Sequence, residues 1–243
     1  ATGGTSGVVY GVTDVPRPDR FSRVNTFLHV NHEPRRPRYG VLLCINGTGI
    51  LNAWVKKTTV PDMSYPEVNR RCAEIPVGSE GVLMLPFGNG AERMLGNRYT
   101  GAEAIGLDLN RHDRFHLLRA AQEGIAFAFR YGMDVMRETG LRLRVIRAGY
   151  ANLFLSPVFR QTLATLCGAD IELYNTDGAL GAARGAALGA GLYASREETF
   201  ASLRKIDEVR PDPADRDVLE RGYARWKAEL ENRLGRASHG TSV

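Results

Sequence analysis

The fold turns on the stretch Tyr39-Gly40-Val41-Leu42-Leu43-Cys44-Ile45-Asn46-Gly47-Thr48-Gly49-Ile50-Leu51-Asn52-Ala53-Trp54-Val55-Lys56-Lys57. Its first seven residues form a short apolar run suited to a central strand, Asn46 to Gly49 break it, and from Ile50 the apolar positions resume at helical spacing. Strand, glycine turn, helix is a building unit of α/β domains. The same arrangement points the free N–H groups of a helix start at an anion.

Upstream, residues 24–30 alternate like a half-buried strand, and the NHEPRRPR segment behind them has the prolines and charges of an exposed turn. The chain is thus expected to open with two or three antiparallel strands. Downstream, residues 65–73 read as a helix started after Ser64 with Pro66 in its first turn, and residues 81–87 as a buried strand. Residues 113–139 give the clearest helix: Phe115, Leu118, Ala121, Ile125, Phe129 and Met133 recur at three- and four-residue steps, and Gly140 stands ready as its stop. Strict alternation over residues 141–147 predicts a strand with one wet face. Ser156-Pro157 opens a helix to Cys167, residues 171–174 make a short strand, and residues 179–194 a helix rich in Ala and Gly. An amphipathic helix over residues 212–234 carries Val218, Leu219, Tyr223, Trp226, Leu230 and Leu234, and residues 235–243 are expected to fray. Repeated strand–helix alternation argues for an α/β domain with helices packed on a sheet.

Composition narrows the function classes. The 243 residues, 43% hydrophobic and 24% charged, fit one large globular domain or two small ones. No stretch approaches the roughly 18 apolar residues of a membrane span. The net charge of +5 is spread without a basic stripe or a recognised module, which argues against nucleic acid as a partner. Cys44, Cys72 and Cys167 are odd in number, far apart and outside any CxxC spacing, so neither a disulfide frame nor a zinc site is expected. A reducing, cytoplasmic setting fits. The first residues lack a signal peptide's basic and apolar segments, and the chain enters an organised motif without an initiator Met, as a fragment would.

Three glycine-containing turns follow or join strands: Gly3 to Gly7, Gly47 to Gly49, and Gly149 to Asn152. Glycine is the default residue of tight turns, so each alone reads as structural. Together they offer close backbone approach to a phosphate or base, with Thr5, Ser6, Thr48 and Asn152 supplying side-chain hydrogen bonds. Neither a Walker A motif nor GxGxxG is present. The GxxxG-like spacing of GALGAARGAALGAG is read as small residues that let a helix lie close to a sheet, not as membrane dimerisation. His112 and His116, at i and i+4, lack a third ligand and are read as solvated or capping residues. Asp108, Asp113 and Asp134 have no paired acid suited to general acid–base work, so no complete catalytic centre is visible.

Five segments in order, GTSGVVYG, NGTGILNAWVKK, GSEGVLMLPFGNGAER, AIGLDLNRHDRFHLLRAAQEGIAFAFR and RAGYANLFLSPVFRQTLATLCGADIELYNTDGALGAARGAALGAGLY, resemble the C-terminal half of FGGY carbohydrate kinases. The likeness is strongest to the xylulokinase branch and covers residues 1–234 as one domain. It implies an α/β, actin-like ATPase (ribonuclease H-like) domain, a mixed sheet with helices on both faces. The resemblance places Gly4, Thr5, Ser6 and Gly7 in a phosphate-binding hairpin, Thr48 and Gly49 beside the nucleotide, and Gly149, Tyr150, Ala151 and Asn152 in the adenosine turn. It also implies ATP and Mg2+ as cofactors, no metal-ligating residue in this chain, and transfer of the γ-phosphoryl group to a sugar. D-xylulose is the first expectation; glycerol, gluconate or another ketose, or a non-catalytic nucleotide-binding regulator, are the alternatives. The family's general-base Asp and its sugar-binding domain are expected before Ala1, that domain being the principal partner, with a homodimer as a further assembly. Two departures stand out: Arg147 and Ala148 replace usual glycines, and Gln122 replaces a usual apolar residue.

Overall fold

The computed structural model describes residues 1–239, and side chains through residue 236. A short strand β1 (Thr2–Gly3) turns back into β2 (Gly7–Thr13); after β3 (Asn25–Leu28) comes β4 (Tyr39–Ile45). These form an antiparallel sheet in the order β1-β2-β4-β3, with Gly7 opposite Ile45 and Thr13 opposite Tyr39. The apolar run of β4 is central, as its composition demands: Val41, Leu43 and Ile45 are buried. Helices α1 (Gly49–Thr59) and α2 (Tyr65–Glu74) follow, the second capped by Ser64 with Pro66 in its first turn.

A two-stranded antiparallel pair, β5 (Leu83–Phe87) and β6 (Gly101–Ile105), leads into the long helix α3 (Arg114–Glu138). Asp113 caps α3 by accepting from the Phe115 and His116 amides, while the His116 ring accepts from the Asp113 amide, a closed capping box. This bears out the capping alternative for His116. Helix α3 is the spine of the domain: it packs on β4, β5, α1, α2 and two of the later helices, and is buried along most of its length. Glu123, buried in it, pairs with Arg119 at 2.7 Å and accepts from the Gly78 amide and Ser79 hydroxyl, tying α3 to the turn before β5.

The third sheet contains β7 (Val145–Gly149), then, after α4 (Pro157–Cys167), β8 (Asp170–Tyr174), and, after α5 (Gly178–Gly189) and the single-turn α6 (Arg196–Phe200), β9 (Lys205–Val209). Strand β8 pairs parallel with β7 and antiparallel with β9, so the mixed character sits in this sheet alone. Helix α7 (Arg216–His239) closes the domain, its fully buried Trp226 donating to the Met84 carbonyl at 2.9 Å between the rings of Phe87 and Phe127.

Among the described residues the strands hydrogen-bond as sheets of four, two and three, and the expected mixed pairing lies in the last. Other expectations need correction. The wet-faced strand begins only at Val145, because β8 offers partners only to Val145–Gly149; Leu141 and Leu143 pack on the core outside any strand. The Ala/Gly helix does not lie against a sheet through its glycines: α5 is mostly exposed, with Arg184 buried and Ala187 and Leu188 partly so, and a Cβ added at Gly178, Gly181, Gly185 or Gly189 would meet nothing within 4 Å. Residues 235–239 continue α7 instead of fraying, and the rest of the expected frayed tail, 240–243, lies outside the described residues. No helix among the described residues is long and apolar enough to cross a membrane.

Candidate nucleotide site

The β1–β2 turn sits directly on the start of α1. The Gly49 amide donates to the Gly4 carbonyl at 3.0 Å and the Ile50 amide to the Thr5 carbonyl at 3.1 Å. The next two amides, of Leu51 and Asn52, return to the Thr48 carbonyl. Every amide of that first helical turn is therefore used inside the protein, and the expected free anion site at Gly47–Gly49 is not there. The unpaired amides lie one layer outward, in the hairpin turn. In a planar trans peptide the N–H points opposite to the carbonyl that precedes it, so the carbonyls of Gly4 and Thr5 on the helix turn the amides of Thr5 and Ser6 away from it. Neither amide donates to a protein acceptor among the described residues, and Thr5 is exposed. Two adjacent amides are thus left facing outward at the turn.

This contact needs glycine on the helix side. A Cβ at Gly49 would lie 2.3 Å from the Gly4 carbonyl oxygen, and one at Gly7 would strike the Phe129 ring at 2.6 Å and the Thr48 hydroxyl at 2.7 Å. Thr48 itself is fully buried, its hydroxyl donating to the Ile45 carbonyl at 2.9 Å. It fastens the end of β4 instead of facing a ligand, which corrects its expected side-chain role.

The turn before Thr48 is held from the opposite side by Glu92, which is fully buried. Its Oε2 accepts from the Asn46 amide at 3.0 Å and its Oε1 from the Gly47 amide at 2.9 Å. Asn46 Nδ2 donates to the Ala91 carbonyl and Asn89 Nδ2 to the Asn46 carbonyl, so two loops distant in sequence are laced together. Burial pushes the Glu92 carboxyl up, against the two backbone hydrogen bonds that pull it down. Sequence reading missed Glu92; an isolated acid in a loop of glycines carries no periodic signal.

A cleft of about 470 Å³ opens beside the hairpin turn, bounded by the first turn of α1, by Tyr65 and Asn69 of α2, and by Asn152 to Ser156. Gly4, Thr5, Gly49 and Asn152 of the expected site line it. A second cleft of about 490 Å³ shares Gly3 and Asn152 with the first and is lined by Gly149 and Ala151. Ser6, Gly7, Thr48 and Tyr150 line neither. Tyr150 is partly exposed, with the Arg160 guanidinium 5.9 Å from its ring centre. Gly149 is glycine for packing: its Cβ would fall 2.1 Å from the Thr176 carbonyl oxygen. Asn152 adopts a left-handed φ of 52°, a conformation its short amide tolerates. The lining of the first cleft carries no charged side chain, so its chemistry is hydrogen bonding and shape.

The hairpin turn rests on a helix start beside a neutral cleft, in a mixed α/β domain whose fold is that of actin-like ATPases. The model of the FGGY family of carbohydrate kinases, C-terminal domain, matches residues 1–194, and the chain belongs to that family. It is 27% identical over 237 residues to xylulose kinase of Haemophilus influenzae, covering 93% of this chain and 45% of that protein. With xylulose kinase of Bacillus subtilis it shares 30% identity over 199 residues, 80% of this chain and 38% of the other. The crystal structure of xylulose kinase from Rhodospirillum rubrum superposes with a TM-score of 0.82 at 25% identity, over 97% of this chain and 47% of that one. The chain thus spans about half the length of the curated relatives it matches.

Proposed function

We propose that this chain is the nucleotide-binding half of an ATP-dependent sugar kinase that phosphorylates D-xylulose to D-xylulose 5-phosphate. The observation that carries the reading is the pair of outward amides at Thr5 and Ser6, fixed by the carbonyl contacts to α1 at the rim of the first cleft. The choice of sugar follows the xylulose kinases to which the chain is similar.

Phosphoryl transfer asks little covalent chemistry of the protein; positioning and charge stabilisation supply the acceleration. The turn amides would take phosphate oxygens, and the clefts flanking Asn152 the nucleoside. Mg2+ would arrive on the phosphates, as it does where few protein ligands are offered; among the described residues no three His, Cys, Asp or Glu side chains gather to hold one. The base that takes the sugar's hydroxyl proton would come from a sugar-binding half, which would also exclude water on closing.

The test is calorimetric titration of the chain with ATP, ADP and tripolyphosphate. Saturable ATP binding with tripolyphosphate in competition is the expected result, and no competition would overturn the hairpin assignment. The chain alone is expected to phosphorylate nothing in a panel of D-xylulose, glycerol and gluconate; turnover without a second half would refute the division of labour.

A further inference from the structure

Beneath the first cleft lies a polar cluster that phosphate binding does not use. Gln122, on the inner face of α3, is fully buried. A buried primary amide must place one carbonyl and two N–H groups. Ser156, the cap of α4, accepts from the Phe159 amide at 3.2 Å and donates its hydroxyl to Gln122 Oε1 at 2.6 Å. That leaves Gln122 Nε2 to donate, to Asn69 Oδ1 at 3.2 Å and to Asn52 Oδ1 at 3.5 Å. Both asparagines line the cleft, from α2 and α1. With their carbonyls turned down onto Gln122, their Nδ2 groups face the cleft. Neither Nδ2 donates to a protein acceptor among the described residues, and neither is a buried polar atom lacking a partner, so each keeps solvent access where its residue lines the cleft.

We propose that Gln122 is a positioning residue that sets the hydrogen-bonding sense of the cleft floor, and that Asn52 and Asn69 thereby offer two N–H donors to the acceptor-bearing nucleoside end of the nucleotide. The chemistry they recognise is that of ribose oxygens and base ring nitrogens. An apolar residue at position 122 would release both amides to turn either way. The inference rests on the nucleotide reading of the cleft, but concerns the nucleoside and not the phosphates.

The test compares ATP with tripolyphosphate. Gln122→Met keeps the volume and removes the network. Losing two oriented hydrogen bonds is expected to weaken ATP about tenfold while tripolyphosphate is unchanged. In the wild-type chain, NMR signals of the Asn52 and Asn69 side-chain amides are expected to shift with ATP and not with tripolyphosphate. Unchanged ATP affinity in Gln122→Met overturns the proposal. Should Gln122→Met melt early and lose both ligands alike, Asn69→Ala at the partly exposed wall decides: selective loss of ATP supports the proposal, equal affinities overturn it. A wild-type chain that binds tripolyphosphate as tightly as ATP overturns this inference and leaves the phosphate site standing; one that binds neither overturns the nucleotide reading itself.

Discussion

The molecule uses glycine in two opposite ways. Around the hairpin and the Asn46–Gly49 turn, glycines let main chains touch: a Cβ at Gly47 would fall 1.8 Å from the Pro86 carbonyl oxygen, and one at Gly49 2.3 Å from that of Gly4. Along α5 the glycines touch nothing. Both stretches look alike as composition, yet only the first is a joint on which geometry depends. The difference lies in what stands opposite, and sequence does not print that.

The sharpest way to test the contrast is Gly47→Ala. Its methyl would collide with main chain, which cannot swing aside, so a loss of roughly 3 kcal/mol is expected. Chemical denaturation measures it, and tripolyphosphate binding should vanish with it. A near-neutral result would show that the two loops are not tightly apposed.

Next comes Glu92→Gln, which keeps the shape but sets an N–H2 group against one of two backbone donors; the expected cost is about 1–3 kcal/mol. Its pH dependence has a definite sign. Because burial raises the folded carboxyl, the wild type gives up stability as pH climbs through the carboxylate range to the folded value, whereas Gln titrates nothing. The wild-type advantage over Glu92→Gln should therefore shrink in paired melts as pH rises from the ordinary carboxylate range toward the raised folded value. An advantage that grows over that range would reverse the assignment of burial as the dominant influence.

The smallest effect is expected at Gly185→Ala. An exposed helix interior gains about 0.5–1 kcal/mol from Ala over Gly, read as a higher denaturation midpoint. Destabilisation there would mean that something covers α5 in solution, and the comparison would fail.

Much of the fold was legible because period and punctuation agreed. In α3 the apolar steps, the Asp113 start and the Gly140 stop all point one way, and Ser64-Tyr65-Pro66 and Ser156-Pro157 mark the starts of their helices to the residue. Strands β6 and β9 were not legible: GAEAI is mostly exposed, and KIDEV is an edge strand studded with charge. Residues 141–147 alternated correctly, but pairing needs a neighbour, and β8 is only five residues long. In the site, the hairpin was singled out by the family resemblance and not by residue type, and residue type misjudged Thr48, whose hydroxyl suits a phosphate but whose backbone turns it into the core. The Gln122 cluster was beyond reach for a simpler reason. Asn52, Asn69, Gln122 and Ser156 come from three helices and a helix cap, 70 residues separating Asn52 from Gln122, and only the packed fold makes them neighbours.

The carbonyl contacts between the hairpin and α1 have a dynamic consequence. Each peptide group in that turn is shared: its oxygen belongs to the helix start and its N–H to whatever occupies the rim. Pulling on the outer end polarises the group and strengthens the inner bond. Ligand capture would then be recorded by two hydrogens that never touch the ligand, with slower deuterium exchange at the Gly49 and Ile50 amides than in the empty chain.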